Sequence, residues 1–249
     1  AGRIAAEGLV ATYVENNVGA VVEINSETDF VAGSDGFKEL TAKVAKVVAE
    51  QNPADVNALL ACKTDGKTVE ELVQELFLAV RENMKIRRFA RMEGHIASYV
   101  HAGGKIGVLV KFDTTDEIAA SDAFKVMAKD VAMQIAAANP LFLNRESVPA
   151  ETVEHEKKIM TEQVVAEGKP ANIAEKIVMG KMGKYYKENC LVEQVFVKDN
   201  DLTVQKYVDG VAKQLGGDIK IVAFERFEKG EGLEKRSDNF ADEVASMIK

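Results

Sequence analysis

Glu7-Gly8-Leu9-Val10-Ala11-Thr12-Tyr13-Val14 returns eighty-six positions later as Glu93-Gly94-His95-Ile96-Ala97-Ser98-Tyr99-Val100, with Glu, Gly, Ala, Tyr and Val in register. The likeness runs on. Gly19-Ala20-Val21-Val22-Glu23-Ile24 meets Gly107-Val108-Leu109-Val110-Lys111-Phe112, Ser34-Asp35-Gly36-Phe37 meets Ser121-Asp122-Ala123-Phe124, and Asn52-Pro53 meets Asn139-Pro140. Self-similarity of this extent marks a structural unit present twice. It predicts two subdomains of one plan, each opening on two short strands and continuing into a helix. The β-branched and aromatic runs at 8–14, 19–24, 94–100 and 107–112 are broken by Gly and Asn and predict antiparallel hairpins. Behind the first pair, Phe37, Leu40, Val44, Val47 and Val48 line one face of a helix that starts at the N-cap Ser34 and stops before Pro53. Phe124, Met127, Val131 and Ile135 repeat that stripe, so the fold class is α+β, a duplicated core of small antiparallel sheets with packed helices.

Between the copies, Leu72, Leu76, Val80 and Met84 recur at four-residue intervals and predict a helix over 69–84. From 147 to 190 the strand pattern vanishes, and two charged helical stretches flank Gly168-Lys169-Pro170, a stop and restart. Their apolar stripe (Val153, Ile159, Met160, Val164; then Ile173, Ile177, Met182) is too narrow for a core but suits one helix packed on another. Strand-like sequence returns at 191–197 and 218–227 around a helix at 202–215. The expected plan is a first core subdomain at 1–85, a second at 86–147 continued at 191–229, an inserted antiparallel hairpin at 148–190, and a C-terminal helical module at 230–249 carrying Phe240 and Val244.

The composition excludes several classes of function. Among 249 residues, 40 Asp and Glu stand against 32 Lys and Arg, a net charge of -8 that opposes binding to a phosphate backbone. Nucleic acid is not expected as a direct partner. Cys62 and Cys190 stand alone, with no spacing of a zinc site or a disulfide framework. No run reaches the ~18 apolar residues of a membrane span, and the start lacks the apolar stretch of a signal peptide. The first residue is Ala1, which suggests a trimmed N-terminus.

Searches for catalytic chemistry mostly fail. Gly66-Lys67-Thr68 matches the end of a phosphate-binding loop, but Ala61 stands where the motif needs Gly and no strand is expected before it. His95, His101 and His155 sit in no metalloprotease motif, and no G-x-S-x-G is present. Glu27 with Asp29, and Asp113 with Asp116 and Glu117, are carboxylate pairs suited to acid-base work, but acids at strand ends are more often turns and caps. Neither a conventional catalytic centre nor a cofactor is expected.

The copies part company after the second strand, where Asn25-Ser26-Glu27-Thr28-Asp29-Phe30-Val31 faces Asp113-Thr114-Thr115-Asp116-Glu117-Ile118-Ala119. The first carries a large aromatic in a turn. Phe30 either tucks into the core or is presented, with Asp29, to a partner's pocket, where aromatic anchors dominate interface energetics. Pattern alone leaves both readings open.

At these residues the chain resembles the elongation factor Ts family, the nucleotide-exchange factors of the translational GTPase elongation factor Tu. The resemblance rests on Glu27-Thr28-Asp29-Phe30-Val31-Ala32, Ile86-Arg87-Arg88, Ile106-Gly107-Val108-Leu109-Val110, Gly168-Lys169-Pro170 with Ile173-Ala174-Glu175-Lys176, and Arg226-Phe227 with Gly230-Glu231-Gly232, in that order. It implies a two-part α+β core with an inserted coiled-coil hairpin and a C-terminal helix, the family's N-terminal helical module being missing here. It implies elongation factor Tu as partner, no enzyme activity, and a setting in the bacterial cytoplasm or an organellar matrix or stroma. The partner-binding residues it implies are Thr28, Asp29, Phe30 and Val31 at the GTPase's magnesium and phosphate site, Ile106, Gly107 and Gln134 against another of its domains, and Phe240 in the terminal helix. A homodimer or a 2:2 complex stays open, as does the alternative of a self-association module acting through the hairpin.

Overall fold

The computed structural model describes residues 4–235. The first copy begins with strands β1 (Glu7–Glu15) and β2 (Val18–Ser26), joined by Asn16 and Asn17 in the left-handed region, at φ 53° and 59°. That is the turn whose twist suits a two-residue hairpin. Helix α1 (Asp29–Ala32) leads into α2 (Asp35–Gln51), which Ser34 caps by accepting from Phe37 N and which ends at Asn52 with φ 48°. Next come α3 (Val56–Ala61), the tiny hairpin β3 (Lys63–Thr64) and β4 (Lys67–Thr68), α4 (Val69–Val80), and β5 (Met84–Glu93), which pairs antiparallel with β2.

The second copy repeats this plan with β6 (His95–His101), β7 (Ile106–Asp113), α5 (Asp116–Ala120) and α6 (Asp122–Ala138), the last capped by Ser121 and ended by Asn139 at φ 44°. The long hairpin α7 (Ala150–Ala166) and α8 (Ala171–Asn189) follows; Val164, Ala174 and Val178 are buried between its arms. Then β8 (Val195–Phe196), β9 (Asp199–Thr203), α9 (Val204–Leu215) and β10 (Lys220–Glu228) complete the copy, with β10 antiparallel to β7. The sheet orders are β1-β2-β5 and β10-β7-β6.

Several expectations need correction. The helix expected to reach Met84 stops at Val80, because Arg81 turns left-handed at φ 59°, and Met84 opens a strand. That strand, β5, carries Ile86-Arg87-Arg88 as the third member of the first sheet, so the first sheet runs past residue 85 to Glu93. The stretch 191–197 is mostly a 3-10 turn, Leu191–Glu193, with a two-residue strand. A short strand does precede Lys67, but the turn between is only Asp65-Gly66, and Lys67 pairs with Glu75 at 2.5 Å, so no phosphate cradle forms. The repeat also extends further than the sequence showed: each copy has a small hairpin, then a twelve-residue helix capped by a Thr (Thr68, Thr203), then its third strand.

Side chains alternate across each sheet and divide the core into layers. Ala20, Val22 and Ile24 of β2 face α2, α3 and α4, while Val108, Val110 and Phe112 of β7 face α6 and α9. The intervening Val21 and Leu109 meet between the sheets with Val10 and Phe227. The order is therefore helix, sheet, sheet, helix, which explains why the strands read as nearly unbroken apolar runs. The sheets approach closely at two related points: a Cβ on Gly19 would collide with Ile96, and one on Gly107 with Val10. Glycine is required at both by contact across the layers.

A buried carboxylate ties the halves together. Glu23 is fully buried, yet it faces Arg87 at 3.1 Å and Arg88 at 2.7 Å and accepts from Asn25 Nδ2 and the Gly230 N–H. Arg88 stacks on Phe227, 4.2 Å from the ring centroid, and reaches the Glu228 carbonyl. Such a charge is tolerable only when its lone pairs are satisfied. The signatures around Arg87 and around Gly230 thus serve one joint between the sheets. No helix among the described residues is long and apolar enough to cross a membrane.

Candidate functional site

Strand β2 ends at Ser26, and the chain turns at Glu27-Thr28 into the single turn of α1. Thr28 is the N-cap, its Oγ1 accepting from Val31 N at 3.3 Å, while Ser26 Oγ donates to the Thr28 carbonyl at 2.9 Å. The loop is fastened to the joint between α4 and β5: Glu82 accepts from Thr28, and Asn83 donates twice to Glu27 Oε1, at 2.9 Å each. Val31, at 9% exposure, supplies the loop's apolar anchor in the first core. Asp29 and Phe30 point the other way, and Phe30 is 86% exposed, the largest value among the exposed large hydrophobics.

The core reading of Phe30 is therefore overturned by its neighbour. The cap geometry pairs Thr28 with Thr115, whose Oγ1 accepts from Ile118 N, so Val31 corresponds to Ile118 and Phe30 to Glu117. Sequence pairing had set Phe30 against Ile118, one residue out of step. In the second copy the position of Phe30 is thus an exposed glutamate, a residue suited to water. An aromatic there fills no place in the core and stands in solvent.

Asp29 and Phe30 rim a cleft of about 510 Å³ with Glu27, Lys105, Glu228 and Lys229. Lys229 forms an ion pair with Glu7, and its backbone N–H donates to the Lys105 carbonyl at 2.9 Å. The site joins loops from both copies, which sequence separation hides. Its chemistry is that of a projecting ring and a carboxylate above a mixed-charge hollow, with no nucleophile and base paired in it.

A family model described as Elongation factor TS matches residues 27–231. The elongation factor Ts of Clostridium kluyveri (strain NBRC 12016) is 49% identical over 99% of this chain and 82% of that protein. That of Clostridium botulinum (strain ATCC 19397 / Type A) is 47% identical over the same shares. The chain belongs to the elongation factor Ts family.

Within that family frame, the remaining residues expected to bind a partner fall elsewhere. Ile106 is 8% exposed and packs in the second core, while Gly107 is buried against Val10, so neither presents a side chain to a visitor. Their place at the start of a strand covered on both faces is the reason. Gln134 is fully buried: Oε1 accepts from Val197 N at 2.8 Å, and Nε2 donates to the Val195 carbonyl at 3.1 Å and to Gln194 Oε1 at 3.3 Å. It staples α6 to β8 and has little capacity left for a partner. One turn earlier, Asp130 accepts from Lys198 at 2.6 Å and from Tyr207 Oη at 2.6 Å; burial and this acceptor push the Tyr207 hydroxyl well above the usual phenol range. Phe240 lies outside the described residues. Sequence reasoning missed Glu82, Asn83 and Lys105, which come to the apex from more than fifty positions away and carry no local motif.

Proposed function

We propose that this chain is the guanine-nucleotide exchange factor of elongation factor Tu and acts through the Asp29-Phe30 apex. The observation that carries the reading is the 86% exposure of Phe30 beside a buried Val31, inside the stretch that the elongation factor Ts family model matches. The mechanism is linkage. A protein that binds the nucleotide-free GTPase more tightly than the GDP-bound form weakens GDP binding by the same coupling free energy. No covalent bond changes, so the chain is not a catalyst of a chemical reaction.

The apex is suited to that task. A bound GDP is held by magnesium and by backbone N–H groups around its phosphates. A rigid ring that enters beside them is accommodated only if those contacts loosen, and the resemblance gives Asp29 the part of a polar anchor next to that wedge. A coupling of ~4 kcal/mol would weaken GDP about a thousandfold. Family membership does not favour the alternative of a self-association module acting through the hairpin α7-α8. The test is release of fluorescent GDP from elongation factor Tu, with excess unlabelled GDP as chase, with and without this chain. Acceleration proportional to the amount of chain supports the reading, and an unchanged release rate refutes it.

A further inference from the structure

Helix α1 lacks one half of its own start. In a capping box, the N-cap hydroxyl receives the N–H of the third helical residue, and an acidic or amide side chain at that third residue returns to the N-cap N–H. Helix α4 has both halves: Thr68 Oγ1 accepts from Glu71 N at 3.1 Å, and Glu71 Oε2 accepts from Thr68 N at 2.7 Å. In α1 the third residue is Val31, which the core needs, so no acid can stand there without burying a charge. The Thr28 N–H is received instead by Glu82 Oε2 at 3.1 Å, from 54 positions away. The other oxygen of the same carboxylate accepts the Thr28 hydroxyl proton at 2.8 Å. A hydroxyl has one proton. Giving it to Glu82 leaves a lone pair turned toward Val31 N, the cap that starts α1.

We infer that Glu82 is the positioning residue of the apex: it completes the capping box of α1 from another element and so fixes the direction in which Asp29 and Phe30 project. This rests on the role proposed above for Phe30. The second copy serves as an internal control. There Thr115 caps α5 in the same way, the third residue is the buried Ile118, and the joint before the third strand is again turned by a left-handed residue, Gly216 at φ 74°. Among the described residues the hydrogen bond from that joint to the loop is Thr114 Oγ1 donating to the Asp218 carbonyl at 2.8 Å, beside the packing of Gly217 on Ile118. Among the described residues no carboxylate receives the Thr115 N–H, and the apex there carries Glu117. The bidentate carboxylate therefore accompanies the aromatic apex and is absent from the copy whose apex carries Glu117, where Asp116 meets His95 Nε2 at 3.1 Å.

The experiment compares the full chain with Glu82→Ala, Glu82→Gln, Phe30→Ala and the Phe30→Ala/Glu82→Ala double variant in GDP release from elongation factor Tu. Glu82→Gln can keep its carbonyl on the Thr28 N–H but then sets an NH2 against the Thr28 hydroxyl, which must accept instead of donating and so loses its lone pair's preference for Val31 N; it should fall between wild type and Glu82→Ala. We expect Glu82→Ala to slow exchange about tenfold and Glu82→Gln about threefold. In the Phe30→Ala background, removing Glu82 should slow exchange clearly less than in the wild type, because only Asp29 is then left for it to position. Amide hydrogen exchange at Val31 and Ala32 should quicken in Glu82→Ala and stay unchanged in Phe30→Ala. Equal slowing in both backgrounds, unchanged amide protection, or a wild-type rate for Glu82→Ala beside a slowed Phe30→Ala overturns the role of Glu82 alone. A wild-type rate for Phe30→Ala itself overturns the apex reading and this one with it. Should Glu82→Ala fail to fold, Glu82→Gln carries the same comparison.

Discussion

Replacing Phe30 by Ala separates a tool for a partner from a piece of the core. The ring is 86% exposed, so its removal takes little from the folded chain, and surface changes of this kind shift stability by about 0.5 kcal/mol or less. If the ring enters the GTPase, the balance is different. An aromatic side chain carries roughly 150–250 Å² of surface, and burying 86% of it at ~25 cal/mol per Å² is worth ~3–5 kcal/mol. Ordering and imperfect fit reduce that gain, so about 2–4 kcal/mol, the range of interface hot spots, is the expected loss. At ~1.4 kcal/mol per decade this is a fall of roughly 30- to 1000-fold in the efficiency of GDP release. The assay is stopped-flow release of fluorescent GDP over a range of exchange-factor concentrations, with a thermal melt of each protein beside it. Wild-type release by Phe30→Ala refutes the reasoning, as does a melting point lowered by ten degrees with exchange per folded molecule unchanged.

Other positions test the frame that carries the apex. Glu23→Ala leaves Arg87 and Arg88 facing an empty buried site and should cost about 3–5 kcal/mol, read as the shift of the urea midpoint at constant slope. Gln134→Leu orphans the Val197 N–H and should cost about 1–3 kcal/mol, while exchange per folded molecule, measured at a temperature where the variant is folded, stays within twofold of wild type. Burial pushes the Cys190 thiol up to about 11 from its ordinary 9, so the fold favours the protonated form. The stability this gives is complete below pH 9 and is lost as the pH rises toward 11, and a Cys190→Ala variant should show a shallower decline in the urea midpoint, the half-buried Tyr207 hydroxyl supplying part of what remains. At pH 8 a thiol reagent should modify the half-buried Cys62 well before Cys190 in the native protein.

The hairpins, the long helices and their caps were legible because each depends on neighbours in sequence: Ser34 with Phe37, Ser121 with Phe124, and the apolar stripes at helical spacing. The third strand of the first sheet was not. Its Met84 continued a four-residue spacing from α4, and only the left-handed Arg81 shows that the helix had ended. The exposure of Phe30 could not be read either, because Val31 beside it satisfies the same periodicity and just one of the two can face inward. Ile106, Gly107 and Gln134 match partner-binding positions of the family, but such a match names residue types without saying which of them the fold encloses. The fastening of the apex by Glu82 and Asn83 depends on contacts across more than fifty positions, where a sequence carries no distance information.

Gly19 sits against Ile96, and Gly107 sits against Val10. Position and counterposition are exchanged, which is the reciprocity of a homodimer with a twofold axis, here written inside one polypeptide. Covalent tandem linkage makes this pairing indifferent to protein concentration and releases the two ends from having to be alike. One end could therefore specialise as a lever while its twin stayed a plain buttress, an asymmetry that two identical subunits could never hold.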